Sequence, residues 1–312
     1  MSMSSFDAKA FVLSEQESTK IFKRDIIPAE FGGFVDKNAA APLLPLSPPL
    51  SGGWKSEPPV TVLIVGQTGA GKTHAAPAIK GVFESIVRGR GEPRVGREET
   101  EDLGSRNEKD DEEQAGPVIA HFIADTYKTY HPAYANLSAG DANEQTGRAS
   151  AATGPDARRW LAMAVRHAVA LRLDVLLESA CRHPEDFAHL AQAFRGGGYR
   201  VEVGLMAVPA GLSRLGILTR FYHRRSLEEA GPKSSSPRRG SLLTARLTPK
   251  KVHDDSYEGL LRAAEFIDES DAIDQVVVVR RGNLVAYANE RQEDGAWKQQ
   301  QQPGAPGEPQ MP

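Results

Sequence analysis

An α/β fold, with a mostly parallel sheet and helices on both faces, is predicted by two observations. Short apolar runs rich in β-branched residues alternate along the chain with helix-patterned segments. The first of these runs, Val60 to Val65, leads straight into Gly66-Gln67-Thr68-Gly69-Ala70-Gly71-Lys72-Thr73, and Ala75 to Val87 then reads as a helix. Strand, glycine turn and helix are the setting of a P-loop. Its glycines let the backbone curl until the N–H groups converge on a phosphate. The helix that follows points its positive N-terminal end at the same anion. Lys72 adds a mobile positive charge for the β- and γ-phosphates, and the Thr73 hydroxyl can ligate Mg²⁺. The expectation is a P-loop NTPase- or kinase-like domain in which residues 66–73 bind ATP and Thr73 holds Mg²⁺.

The other elements follow in order. Ser14 and Glu17 form a capping box ahead of Ile21, Phe22 and Ile26, so a short helix is expected to about Ile27, before Pro28. Residues 37–58, rich in Ala, Pro, Ser and Gly, read as a linker. Residues 88–116 carry 16 charged residues among 29 and almost no large apolar side chain, so they cannot offset their ordering entropy and read as a disordered insertion. Pro117 to Ala124 reads as a buried strand. Thr153-Gly154-Pro155-Asp156 reads as the cap of a helix reaching about Leu171. Asp174 to Glu178 is a strand, Pro184 opens a helix ending at Gly196, Tyr199 to Val208 is a strand and Gly211 to about Leu227 a helix. Gly231 to Ser241 is a second low-complexity insertion. Tyr257 to Ile267 is helical, and Val276–Val279 and Leu284–Tyr287 form a hairpin around Gly282-Asn283. From about Gln292 a Gln run and four prolines mark a disordered tail. The domain plan is therefore a helix and linker over 1–57, one kinase-like domain over 58–290 and a tail over 291–312.

Composition narrows the function classes. Lys+Arg 38 against Asp+Glu 41 gives a net charge of −3, which does not suggest a nucleic-acid binder. A single cysteine, Cys181, excludes an internal disulfide framework. No apolar run approaches the roughly 18 residues of a membrane span, and the first residues show no secretory h-region. A soluble cytoplasmic protein is the expectation. No Asn-Lys-x-Asp segment is present to read a guanine.

In a parallel sheet the carboxyl ends of the strands share one rim with the P-loop, and ligands sit there. Asp125 follows one strand, where it can take a proton from a substrate hydroxyl, hold Mg²⁺ through water or merely cap a helix. Glu178 closes another strand, with Arg182 four residues on, and an acid at the end of a buried run is costly without a partner. Arg220 and Arg246 each offer a planar fork able to neutralise a transferring phosphate, as well as the ordinary role of a solvated arginine.

Five motifs in sequence order resemble the zeta toxin family of P-loop kinases. They are Asp125-Thr-Tyr-Lys-Thr-Tyr-His131-Pro132, Leu176-Leu177-Glu178-Ser-Ala-Cys-Arg182, Gly198-Tyr199 with Met206-Ala207-Val208-Pro209, Gly216-Ile-Leu-Thr-Arg220, and Thr244-Ala245-Arg246-Leu-Thr248-Pro249-Lys250-Lys-Val-His253-Asp254. The resemblance implies ATP-dependent phosphorylation of a UDP-amino sugar, UDP-N-acetylglucosamine at its 3′-hydroxyl. By position it makes Asp125 the base, Lys72 the ligand of ATP, Glu178, Arg182 and His131 parts of the substrate pocket, and Arg220 and Arg246 the phosphate clamp. The arginines here are more widely spaced than the family's usual pair, with Gly231 to Ser241 between them. The rival readings are phosphoryl transfer to another small hydroxyl compound and a non-catalytic ATP-binding interaction protein. An antitoxin partner is compatible with the chain but not implied by it.

Overall fold

The computed structural model of the chain describes residues 6–34, 57–91, 118–144, 147–229, 247–292 and 294–298. The described strands are β1 (Val60–Val65), β2 (Ala120–Ile123), β3 (Val175–Ser179), β4 (Arg200–Met206), β5 (Gln275–Arg280) and β6 (Leu284–Glu290). They form one sheet in the order β2-β3-β1-β4-β5-β6. All pairs are parallel except β5 with β6, the expected hairpin, whose turn residues Gly282 and Asn283 take φ of 86° and 60°. Asp174, just before β3, ties together the starts of the two strands that flank it. Its carboxylate accepts from Val60 N at 2.6 Å and its carbonyl from Ala120 N at 2.8 Å.

The period-2 alternation of the strands separates two apolar layers. Leu63 and Val65, Val175 and Leu177, and Val201, Val203 and Leu205 face one side. Ile64, Leu176 and Met206 face the other. The first layer is closed by α5 (Arg148–Ala170), α6 (Pro184–Gly196) and α8 (Lys250–Glu269), the second by α3 (Lys72–Gly91) through Ala75, Ala76 and Phe83. The remaining described α-helices are α1 (Glu15–Ile21), α2 (Ile27–Phe31), α4 (Tyr134–Glu144) and α7 (Ala210–Glu229). A mostly parallel sheet with helices on both faces is the architecture the sequence predicts.

Several boundaries move. The capping box forms as expected, with Glu17 N donating to Ser14 Oγ at 3.3 Å and Ser14 N to Glu17 Oε2 at 3.1 Å. The helical path does not stop before Pro28. A π-turn, Phe22–Ile26, has already broken the ordinary ladder, so the missing N–H of Pro28 in the first turn of α2 costs little. α3 begins at Lys72 rather than Ala75, because the amides of His74 and Ala75 bond the Gly71 carbonyl inside the loop itself. It runs on to Gly91, where Arg90 pairs with Glu57 and Asp174. The expected strand 117–124 is only Ala120–Ile123.

Thr153 to Asp156 is not a helix cap. α5 starts at Arg148 and passes through Pro155. Thr153 Oγ1 donates to Ala149 O at 2.8 Å within the helix, and the fully buried Asp156 accepts from Leu13 N at 3.1 Å. Likewise α8 begins at Lys250, not Tyr257. The chain also stays ordered past the expected end at Gln292. Arg291 bridges to Trp297, stacks its guanidinium 4.3 Å from that ring and donates to Ser270 O at 2.6 Å. The insertion 231–241, most of 88–116 and the tail beyond Lys298 lie outside the described residues.

The N-terminal segment belongs to the core rather than merely docking on it. Ile21, Phe22, Ile26 and Phe31 are buried in the first apolar layer, and Trp160 Nε1 donates to Ser18 O at 2.9 Å. Phe31 lies 5.5 Å from the Phe122 ring and 4.6 Å from His167, with no exposure. Phe31→Ala is expected to cost about 3–5 kcal/mol of unfolding free energy, as truncating a fully buried aromatic does. A urea midpoint unchanged within error would show the segment to be peripheral.

Candidate active site

The carboxyl ends of β1, β2 and β3 bring the P-loop, Asp125 and Glu178 to one rim. Residues 66–73 curl over the end of β1, held by Gly66 N to Ser179 O at 3.3 Å and Ala70 N to Gln67 O at 3.1 Å. Gln67 is fully buried and donates to Val208 O beyond β4. Thr68 N donates to Ser256 Oγ on α8 at 3.2 Å. Gly71 takes φ +102°, and a methyl there would meet nothing within 4 Å, so the loop faces open space. Thr73 is exposed at the first turn of α3. Lys72 Nζ folds back on the loop, donating to Gly66 O at 2.6 Å and Gln67 O at 3.3 Å.

Lys72 reads the rest of the site electrostatically. Burial pushes its ammonium down to about 8. The negative charges of Asp125 and Glu178 oppose that shift, and the Arg220 guanidinium adds to it. Its side chain is half-buried, so the shift reflects crowding at the rim rather than a sealed cavity. Asp125, Glu178 and Arg220 thus each lie near enough to Lys72 for their charges to act on it.

Each of these residues has local support. Asp125 sits in the 3-10 turn Ala124–Tyr130 directly after β2, half-exposed, and accepts from Lys128 Nζ at 2.6 Å. Glu178 is 4% exposed and bonds His121 Nε2 at 2.9 Å. His121 is opposite Leu176 in the β2–β3 register and therefore diagonal to Glu178 on the same face. Arg182 donates to Asp255 of α8 at 3.3 Å. Cys181 between them is buried, donates to Gly259 O at 3.7 Å and has its thiol pushed up to about 12 by burial, so it is no nucleophile.

Arg220 lies on α7, whose backbone meets the P-loop directly. A methyl on Gly216 would lie 2.4 Å from Gly69 O, and one on Gly69 only 2.0 Å from Ser213 O. Arg220 donates to Thr248 Oγ1 at 3.2 Å, a residue of the second arginine segment. Arg246 itself lies outside the described residues.

His131 is placed apart from this group. It is 4% exposed, Nδ1 accepts from Ala133 N at 3.1 Å, and Nε2 donates to Phe11 O at 3.0 Å. Nε2 therefore holds the N-terminal segment and Nδ1 the turn that follows His131, so both ring nitrogens are engaged. Sequence reasoning missed Lys128 and His121. Lys128 was legible as an i,i+3 partner of Asp125, whereas His121 needed the β2–β3 register. Among the described residues no group of three or more His, Cys, Asp or Glu could hold a metal ion, and no helix is long and apolar enough to cross a membrane.

The sheet order, the P-loop at the end of β1 and the arginine helix packed on it define a kinase-like P-loop protein, the fold of an ATP-dependent phosphotransferase. The sequence model of the zeta toxin family matches residues 107–292, more than half of the chain, and the chain belongs to that family. The match begins after the P-loop, so the nucleotide loop and the family signature are independent observations.

Among solved structures, one from the PezAT chromosomal toxin–antitoxin system of the human pathogen Streptococcus pneumoniae is similar at 17% identity. The match covers 89% of this chain and 82% of that one with a TM-score of 0.52, which shows a shared fold. The AvrRxo1-ORF1:-ORF2 complex matches more remotely. In its native form it is 12% identical over 74% of this chain and 58% of that one (TM-score 0.38), and with ATP 13% over 77% and 56% (TM-score 0.37). No curated protein matches the sequence.

Proposed function

We propose that the chain transfers the γ-phosphate of ATP to the 3′-hydroxyl of UDP-N-acetylglucosamine. The convergence of Asp125, Glu178 and Arg220 on the P-loop Lys72 carries the reading, since it joins a phosphate cradle, a carboxylate acceptor and a cationic clamp at one rim. The P-loop fits a nucleotide: open space at Gly71, a helix N-terminus and a lysine that can turn from loop carbonyls to phosphates. Mg²⁺ would be held by the Thr73 hydroxyl and the phosphates rather than by a protein cage. Bound ATP and Mg²⁺ supply the phosphoryl group and neutralise its charge.

The protein's own residues do the rest. Asp125 accepts the hydroxyl proton, and Lys128 holds its carboxylate in place. Glu178, held by His121, and Arg182, held by Asp255, present polar groups to the acceptor sugar nucleotide. Arg220 and Arg246 spread their charge over the transferring oxygens.

Mass spectrometry of UDP-N-acetylglucosamine incubated with protein, ATP and Mg²⁺ tests the reading, with a gain of one phosphate as the expected result. Phosphate appearing only on another acceptor in a substrate panel would replace the sugar nucleotide. ATP binding with no transfer to any acceptor would favour an interaction protein.

The shifted lysine gives a pH dependence. An ordinary lysine keeps its charge up to 10.5, whereas Lys72 loses its charge as pH rises through about 8. Phosphate favours the charged form, so binding above that pH must take up a proton. The Kd for ATP is expected to weaken above pH 8 by up to about tenfold per unit. An affinity flat between pH 7 and 9 would remove Lys72 from phosphate binding.

A further inference from the structure

Ser213, His253 and Asp254 form a hydrogen-bonded chain that outwardly resembles a nucleophile, base and acid. Ser213 Oγ lies 2.7 Å from His253 Nε2, and His253 Nδ1 lies 2.9 Å from Asp254 Oδ1. It cannot act as one, because Ser213 is fully buried and His253 is 1% exposed, so no acyl group can reach the hydroxyl. Nδ1–H donates to the carboxylate, and Ser213 Oγ, which meets Nε2, also reaches the Ala210 carbonyl at 3.0 Å.

What the chain joins is more informative. Ser213 begins the face of α7 that meets the phosphate loop, and positions 213, 216, 217 and 220 recur at helical spacing. Ser213 O and Ile217 Cγ1 bracket Gly69, Gly216 touches Gly69 O, and Arg220 ends the row. On α8, Ser256 sits one turn beyond His253. It donates to His253 O at 2.8 Å and accepts from Thr68 N of the loop at 3.2 Å. Asp254 is anchored in turn by Lys250 and by Arg214 of α7 at 2.7 Å. The His253 imidazole thus joins α8 to the arginine helix, and Ser256, one turn on, joins α8 to the P-loop.

We infer that His253, with Ser213 and Ser256, is a positioning device that fixes the phosphate loop relative to the Arg220 helix. The kinetic part of the inference rests on the proposed phosphotransfer, and the structural part does not. Ser256 acts on the loop through the Thr68 amide, and Ser213 acts on Arg220 through α7. Neither touches a reacting atom.

Two variants test it, Ser213→Ala and Ser256→Ala, each removing one hydroxyl and leaving the imidazole in place. Hydrogen–deuterium exchange of the peptide spanning the P-loop is expected to speed up in both, with exchange of the distant β5–β6 hairpin unchanged. Unaltered exchange at the loop would overturn the inference even if the wild-type protein transferred no phosphate. In turnover assays Ser213→Ala is expected to lower kcat by up to about 10²-fold, the scale of a misplaced catalytic group, with ATP affinity preserved. Ser256→Ala is expected to weaken ATP binding instead. In an Arg220→Ala background Ser213→Ala should have no further effect, because its influence passes through that arginine. An equal proportional loss in both backgrounds would show general destabilisation and refute the positioning role.

Discussion

Asp125→Asn is expected to suppress phosphoryl transfer by about 10²–10⁴-fold, roughly 3–5 kcal/mol of barrier, while sparing ATP binding. The substitution keeps the shape but removes the charge and basicity that a substrate hydroxyl needs. The fold should hardly notice. Asp125 is half-exposed, and its pairing with Lys128 is a surface ion pair worth about 1 kcal/mol or less. Two measurements separate three roles. Loss of rate with intact nucleotide affinity marks a base. Loss of both marks a carboxylate that holds the metal ion. A near-normal rate marks a turn cap that Asn replaces well, and it would end the assignment.

Lys72→Ala is expected to lower transfer by at least about 10²–10³-fold, the usual effect of deleting one preorganised group aimed at developing charge. Melting temperature should stay level or rise. Because burial depresses the lysine, its charged form is disfavoured in the folded chain at pH 7, and removing it takes away an unfavourable interaction. The same variant should lose the pH dependence of nucleotide affinity between 7 and 9. A variant that turned over at the wild-type rate would take the P-loop out of the mechanism. One that failed to fold would mean that the bonds from Lys72 to the Gly66 and Gln67 carbonyls are structural.

Much of this site was legible because it is local. The P-loop announces itself by spacing, since strand, glycines and lysine are contiguous and the phosphate geometry depends on nothing distant. Asp125 and Glu178 were legible as polar residues at the ends of apolar runs, and parallel strands send such ends to one rim. The capping box at Ser14 and the hairpin at Gly282-Asn283 are equally local. Other boundaries moved where distant groups intervened. Thr153 and Asp156 have the composition of a cap, but Leu13 from the N-terminal segment satisfies the aspartate, so the helix runs through Pro155.

The sequence alone determined the class of fold, the phosphate loop and the membership of a kinase family, because these rest on contiguous patterns and an ordered set of motifs. Only the tertiary structure decided that the N-terminal helices complete the core, and that His131 serves them rather than a substrate. It alone showed that His121 bonds Glu178, and that His253 bonds the arginine helix while Ser256 of the same helix bonds the phosphate loop. Each of those outcomes depends on which strands are neighbours and which helix faces meet. Pairing across 57 residues for His121 and Glu178, or 40 for Ser213 and His253, leaves no periodic trace along the chain.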